Sequence, residues 1–257
     1  MILILLLASF SGGIIVGIGS GTAGVIMLPV LTIFLGRNIH QSIGTNLLID
    51  CIIGVVAGLV YLKKGNVNIK SGALLAFSGL IGAFLGSQFT STVPEGGLML
   101  IIGLILIIIG VNFVIYGIQK NIEIINSKIK FQWIKDNKTI SFIIIGFIVG
   151  LASGLSGLGS GGIIAIVLVL ILGYEIHTAI GTSLIMVFFV AGSGALGHIL
   201  KGEILTDLVI YAVSAAAIGA VIGSLYANKI DEDKLGRLIG LIIIIMGIAV
   251  IVRIIFS

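Results

Sequence analysis

With 257 residues, 58% of them hydrophobic and 9% charged, the chain is far more apolar than a water-soluble domain, which is excluded. The net charge of +4 sits almost wholly in short gaps between apolar segments, so it carries topology information and gives no sign of nucleic-acid binding. The one cysteine, Cys51, lies inside an apolar run and has no intrachain partner, so it says nothing of redox compartment.

The first apolar run covers about 2–35 and is interrupted by Gly12-Gly-Ile-Ile-Val-Gly-Ile-Gly-Ser-Gly-Thr-Ala-Gly24. As one straight helix it would be about 50 Å long at 1.5 Å per residue. The hydrocarbon layer is only about 30 Å thick, so the run must break or fold back at its glycine patch. Its opening, Met1-Ile-Leu-Ile, lacks the basic start of a signal peptide and is expected to be part of the fold. Further runs follow at about 43–62, 71–91 and 97–118. The run at about 140–172 carries a second patch, Gly150-Leu-Ala-Ser-Gly-Leu-Ser-Gly-Leu-Gly-Ser-Gly-Gly162, and runs at about 179–200, 206–228 and 235–256 complete the chain. That makes eight segments, or ten if each interrupted run counts as two. Between them, 119–138 sets Lys120, Lys128, Lys130, Lys135 and Lys138 against Glu123 and Asp136 and reads as a solvated linker at the membrane surface.

The two halves are a repeat. Gly36-Arg-Asn-Ile-His-Gln-Ser-Ile-Gly-Thr-Asn-Leu47 aligns with Gly173-Tyr-Glu-Ile-His-Thr-Ala-Ile-Gly-Thr-Ser-Leu184 at an offset of 137 residues. The same ungapped offset pairs Lys64-Gly65 with Lys201-Gly202, Gly86-Ser87 with Gly223-Ser224, and Gly103-Leu-Ile with Gly240-Leu-Ile. The expected fold is therefore all-α and integral to the membrane. It has two homologous halves, 1–118 and 139–257, of four to five helical segments each, with a glycine-broken first helix in each half. Counting each interrupted run as one crossing makes the repeats parallel and divides Lys and Arg ten to four across the membrane; counting it as two, or as entering and returning, makes them inverted and divides them eleven to three. The inverted arrangement is the one expected, and both place 119–138 in the cytoplasm. Duplication of this kind is typical of secondary transporters, whose sites lie where the repeats meet.

Non-helical backbone at membrane depth survives only where protein or a watery cavity satisfies it, so the patches are the candidate site. Helix-start N–H groups with hydroxyls beside them suit a small anion. The candidates for binding are Gly17, Ser20, Thr22, Gly24, Ser153, Ser156, Gly157, Ser160 and Gly161, joined by Thr45, Asn46, Thr182 and Ser183 from the helices that follow. Close helix packing through small residues is the competing explanation of the glycines. Both patches fit G-x-G-x-x-G, but without a βαβ unit this is no dinucleotide fingerprint. His40 and His177 occupy equivalent positions just before helices expected to start near Ile43 and Ile180, capped by Ser42 and Thr178; either histidine is a proton-linked gate or an interfacial residue. Asp50, the one acidic residue well inside an apolar run, pairs by offset with Val187 and is a candidate for proton coupling. His198, beside Lys201, is expected to reach the interface. No His/Cys cluster, His-Glu-x-x-His helix or P-loop is present, so no catalysis, metal or cofactor is expected.

The glycine-rich broken runs, each followed by Gly-x-x-x-His-x-(Ser/Ala)-Ile-Gly-Thr-(Asn/Ser) and then Lys-Gly, resemble the TauE/SafE family of sulfite and organosulfur exporters. The resemblance covers nearly the whole chain, with its clearest motifs in 17–45 and 154–183. It implies a multi-pass transporter of the cell membrane that moves a small anion, most of all a sulfur-containing one. Separately, glycine-rich surfaces such as Gly79-Leu-Ile-Gly-Ala-Phe-Leu-Gly86 would permit either internal packing or a homodimer. Alternating access is the expected mechanism, and a passive channel lined by the same breaks is the alternative. This sequence departs from the family's glycine-then-proline pattern: Thr22-Ala23 precede Pro29 in one half, and Ile166 stands at the proline position of the other.

Overall fold

The computed structural model describes residues 2–90, single helical positions between 104 and 115, and residues 137–157, 159–170 and 173–255. Among these, every regular element is helical: α1 (Ile2–Gly19), α2 (Gly24–Pro29), α3 (Ile39–Lys63), α4 (Ile69–Phe89), α5 (Lys138–Ser156), α6 (Gly161–Leu170), α7 (Ile176–Leu200), α8 (Val209–Ala227) and α9 (Glu232–Ile255). Five of them contain stretches long and apolar enough to cross a membrane: Ile2–Gly19, Ile39–Lys63, Thr139–Ser156, Ile176–Leu200 and Val209–Ala227. Large apolar side chains such as Leu3, Leu7, Ile144, Ile148, Ile210 and Ile218 face outward, as in a chain surrounded by lipid. The protein is thus a multi-pass membrane protein. The expected linker lies outside the described residues except for Asn137 and Lys138, which open α5.

Local chemistry sets the element ends. Pro29 offers no N–H and cannot continue the α-helical ladder. The chain responds with a π-helical turn over Val30–Phe34, in which the Leu35 N–H reaches the Val30 carbonyl at 3.0 Å. Gly36 and Gly173 then take left-handed conformations, with φ of 60° and 69°. Each ends its segment with a bond six residues back, Arg37 N–H to Leu31 and Tyr174 N–H to Leu168. The helices expected from Ile43 and Ile180 start four residues earlier, at Ile39 and Ile176. Asn38 is the actual cap of α3, its side chain accepting from the His40 N–H at 2.8 Å, while the Ser42 hydroxyl turns back to the Asn38 carbonyl at 2.8 Å. A hydroxyl already inside the first turn serves the helix by back-bonding and is not its cap.

Packing follows the glycines. A Cβ on Gly13 would run into the Ala216 carbonyl oxygen, and one on Gly150 would run into that of Gly79. Side chains are missing at these points because backbone meets backbone, which gives close contact where apolar burial offers little driving force. The register is parallel along both seams: Gly17 meets Ala220 as Gly13 meets Ala216, and Gly154 meets Ala83 as Gly150 meets Gly79. So α1 packs on α8 and α5 packs on α4, each helix seated against one from the other half of the chain. At the centre, α3 and α7 lie antiparallel. Gly44 is opposite His198, Gly54 opposite Leu184 and Phe188, and Gly181 opposite Tyr61.

Candidate functional site

The apolar runs stop being helical at two places, after Gly19 and after Ser156, and resume at Gly24 and Gly161. Just past each stop, one residue turns left-handed: Ser20 with φ of 53° and Gly157 with φ of 68°. For serine this conformation costs about 1–2 kcal/mol. The two residues are separated by the same 137 positions that relate the halves. Both segments are buried, Ser20, Thr22, Ser156 and Ser160 among them.

Side chains from α3 and α7 close the gaps, and they do so crosswise. Asn46 of α3 donates from Nδ2 to the Gly157 carbonyl at 2.9 Å. Ser183, its counterpart on α7, places its hydroxyl oxygen 2.7 Å from that of Ser20. The space left is small. A Cβ on Gly24 would lie 2.7 Å from Asn46 Nδ2 and 3.2 Å from the Gly157 oxygen, and one on Gly161 would run into the Ser20 carbonyl.

Asp50 lies among these groups, fully buried. Its Oδ1 accepts from the Ala23 N–H at 2.8 Å; its Oδ2 accepts from the Thr22 hydroxyl at 2.5 Å and from Asn46 Nδ2 at 3.2 Å. Thr22 in turn accepts from the Gly24 N–H at 3.0 Å. The carboxylate thus uses the hydroxyl and the backbone donor of the first break. A carboxyl oxygen accepts where an unpaired N–H group would otherwise be costly. In the second break two polar groups are differently placed: Ser160 Oγ and Asn46 Oδ1 are buried without a hydrogen-bond partner.

The sixteen candidates of the sequence divide accordingly. Ser20, Thr22, Gly24, Asn46, Asp50, Gly157, Gly161 and Ser183 form one connected cluster through the contacts above. Ser160 adjoins it in the chain. Ser156 turns back to the Ala152 carbonyl at 2.8 Å, and Ser153 is buried with an unpartnered hydroxyl. Gly17 belongs to the α1–α8 seam. Thr45 and Thr182 serve neighbouring loops: Thr45 Oγ1 accepts from the Leu205 N–H and Thr182 Oγ1 from the Asn68 N–H, each at 2.9 Å. His177 Nε2 lies 3.1 Å from the Ala227 carbonyl, and His40 stands in the first turn of α3, about 9 Å along the axis from Asn46 at 1.5 Å per residue. Among the described residues no three His, Cys, Asp or Glu side chains are grouped to hold a metal ion.

Sequence reading missed two members. Gly159 brings its backbone against the cluster, since a Cβ there would sit 2.9 Å from Asp50 Oδ2. The offset of 137 pairs it with Thr22, a signal that was available. Tyr61, fully buried, directs its hydroxyl to the Gly17 and Ile18 carbonyls at 3.3 and 3.4 Å, just ahead of the first break. His198 is a correction: expected at the interface, it is fully buried, with Nδ1 2.7 Å from Glu203 Oε2. Gly44 packs α3 closely here, since a Cβ on it would meet the histidine's own at 2.7 Å.

The sequence model of a family described as "Sulfite exporter TauE/SafE" matches residues 4–250. The chain is similar to the probable membrane transporter protein YdhB of Bacillus subtilis, with 26% identity over 96% of this chain and 98% of that one. YunE of the same organism, also a probable membrane transporter protein, is 26% identical over 95% of this chain and 94% of its own. A probable membrane transporter protein of Xylella fastidiosa is 25% identical over 95% and 93%. No solved structure matches.

Proposed function

The chain belongs to the sulfite exporter TauE/SafE family of membrane transporters, and we propose that it is a secondary transporter of a small anion, sulfite or an organosulfur compound, working by alternating access. The observation that carries this reading is the crosswise closure of the two breaks, Asn46 to Gly157 and Ser183 to Ser20. An element of each half holds the interrupted backbone of the other, so a rocking of the halves would open both breaks together.

The halves are an inverted repeat in this reading. Support comes from the antiparallel contact of α3 with its equivalent α7, since two elements related by an axis in the membrane plane run in opposite directions. Asp50 is the resident competitor of the anion. Its carboxylate takes the Thr22 hydroxyl and the Ala23 N–H, and a substrate anion gains these donors when Asp50 is protonated or swings aside. That exchange ties substrate entry to a proton. Ser160 and Asn46 Oδ1, both buried without partners, supply further polar contacts. His40 and His177 flank the site at the starts of α3 and α7 and take part as gates. The segment 119–138 is cytoplasmic, the setting is the cell membrane, and a homodimer would pair through outward-facing apolar side chains, since the glycines of α4 and α5 are taken up by an internal seam.

Flux into proteoliposomes after concentration jumps of sulfite, sulfate, thiosulfate, a sulfonate and a carboxylate, with and without a pH gradient, tests the proposal. Saturable, pH-sensitive uptake of one sulfur oxyanion is expected, and Ser160→Leu should abolish it while the protein stays folded. Non-saturating currents would replace the transporter by a channel. Silence toward every sulfur anion, or normal flux in Ser160→Leu, would overturn the substrate class or the site.

A further inference from the structure

Tyr61 and His198 occupy equivalent positions, 137 residues apart, near the ends of α3 and α7. Their surroundings match. Gly181 packs against Tyr61 and Gly44 against His198, with hypothetical Cβ contacts of 2.8 and 2.7 Å. Tyr61 donates to carbonyls of Gly17 and Ile18 in the last turn of α1. At the equivalent place in α5, the Gly154 carbonyl faces the His198 ring, and the Thr90 hydroxyl approaches the same carbonyl at 3.5 Å. Each side chain thus stands at the last turn before a break.

The chemistry differs. A tyrosine hydroxyl always has a proton to donate. His198 gives one nitrogen to Glu203: a carboxylate only accepts, so Nδ1 carries the hydrogen of the 2.7 Å contact. The neutral ring then presents Nε2 as a bare lone pair, and Nε2 is buried with no partner. A lone pair facing a carbonyl is repelled by it; an N–H there would be satisfied. Glu203 is 25% exposed, so the pair is connected to solvent. Lys201, the nearby cation, is held elsewhere, its Nζ donating to the Ser87 and Gln88 carbonyls at the end of α4 at 2.7 and 3.2 Å. Gly44 of α3 and Gly154 of α5, which also meet this side chain, are uncharged.

We propose that His198 and Glu203 form a proton-binding site that locks the second break. A proton from water adds to the Nε2 lone pair, Nδ1–H stays on Glu203, and the new Nε2–H donates to the Gly154 carbonyl as Tyr61 does to Gly17. Acidification then fixes the end of α5 and the backbone that follows it through Gly161. Neutrality releases that end alone, because its counterpart is held by a hydroxyl that does not titrate in this range. The site is separate from Asp50 and from whichever anion is carried; it rests on the transporter reading only for the use to which the lock is put.

The test needs no substrate. Full-length protein with 15N-labelled histidine, in lipid nanodiscs, is followed by NMR from pH 8 to pH 4. At high pH His198 should be the Nδ1–H tautomer, and on acidification it should gain a proton at Nε2. Hydrogen exchange across 153–162, corrected for the intrinsic pH dependence, should slow at least tenfold at the acid end. In His198→Tyr the same segment should stay protected at every pH, and in Glu203→Gln, which keeps the fold if His198→Tyr does not, the tautomer should shift to Nε2–H. A neutral Nε2–H tautomer in the wild type, an unchanged ring across the range, or equal pH dependence of exchange in His198→Tyr would overturn the proposal. Each readout is independent of flux, so an absent sulfur-anion transport activity leaves this result standing or falling by itself.

Discussion

The two helix breaks share a scaffold and differ in chemistry. Each has a left-handed residue, Ser20 or Gly157, and a helix restarting on glycine, Gly24 or Gly161. Each is also met by a side chain from the other half, Ser183 of α7 at the first and Asn46 of α3 at the second. In the first, Thr22, Ala23 and the Asp50 carboxyl group make a hydrogen-bonded knot. In the second, Gly159 replaces Thr22, and Val187 stands where Asp50 would, packing with its Cγ2 2.7 Å from the position of a Cβ on Gly161. The backbone geometry is alike at the two breaks, where the helices restart on glycines whose close neighbours leave no room for a side chain. The polar groups differ, and a second buried carboxyl group would add its own cost in a membrane interior.

Substitutions that break the common scaffold should do most harm. Gly150→Leu or its equivalent Gly13→Leu drives a side chain straight into a backbone carbonyl. Neither can be absorbed by a rotamer change, and each should cost more than about 3 kcal/mol and leave little monodisperse protein by fluorescence-detected chromatography. Recovery of either at wild-type level would remove the seams from the account.

Next in size is the removal of what only the first break has. Asp50→Ala takes away the acceptor of the Thr22 O–H and of the Ala23 N–H and should lower stability by about 2–3 kcal/mol in thermal unfolding, with transport lost. Asp50→Asn, which keeps the shape, should recover most of the stability and none of the coupling to pH. Transport that stays equally pH-sensitive in the Asp50→Asn variant would show that the proton is carried elsewhere.

A smaller effect separates the two left-handed residues. Gly157→Ala adds a methyl to a conformation with φ of 68° and sets it 2.7 Å from Ile43 Cγ2, for a cost of at least about 2 kcal/mol. Ser20→Gly relieves strain while losing the Ser183 contact, and the two should cancel to within about 1 kcal/mol. Similar losses from both would mean that strain does not distinguish the breaks. Least of all should follow from Arg37→Ala, outside both: its 2.6 Å pair with Asp207 is solvent-facing, worth under about 1 kcal/mol, and a Tm change of several degrees would contradict that.

The amino-acid sequence by itself determined the membrane class and, among the described residues, roughly where the apolar helices run, and it raised the expectation of a repeat with two glycine-rich interruptions. Those signals are local: apolar length, glycine and proline act within a turn or two, and a repeat is legible by aligning the chain with itself. Family membership was legible for the same reason, from the His-x-(Ser/Ala)-Ile-Gly-Thr stretches of each half. Only the tertiary structure decided which residues meet at the breaks. Asn46 and Gly157 are 111 residues apart and Ser183 and Ser20 are 163 apart, distances over which no local pattern speaks. Thr45 and Thr182 sat beside Asn46 and Ser183 in the sequence and yet serve loops on another face of the helix, since neighbours on a helix point about 100° apart. His198 misled for a related reason. A histidine next to a lysine at the end of an apolar run has the composition of an interface residue, and it is the distant Gly44 of α3, packed against it while the following turn brings Glu203 back to the ring, that goes with its burial.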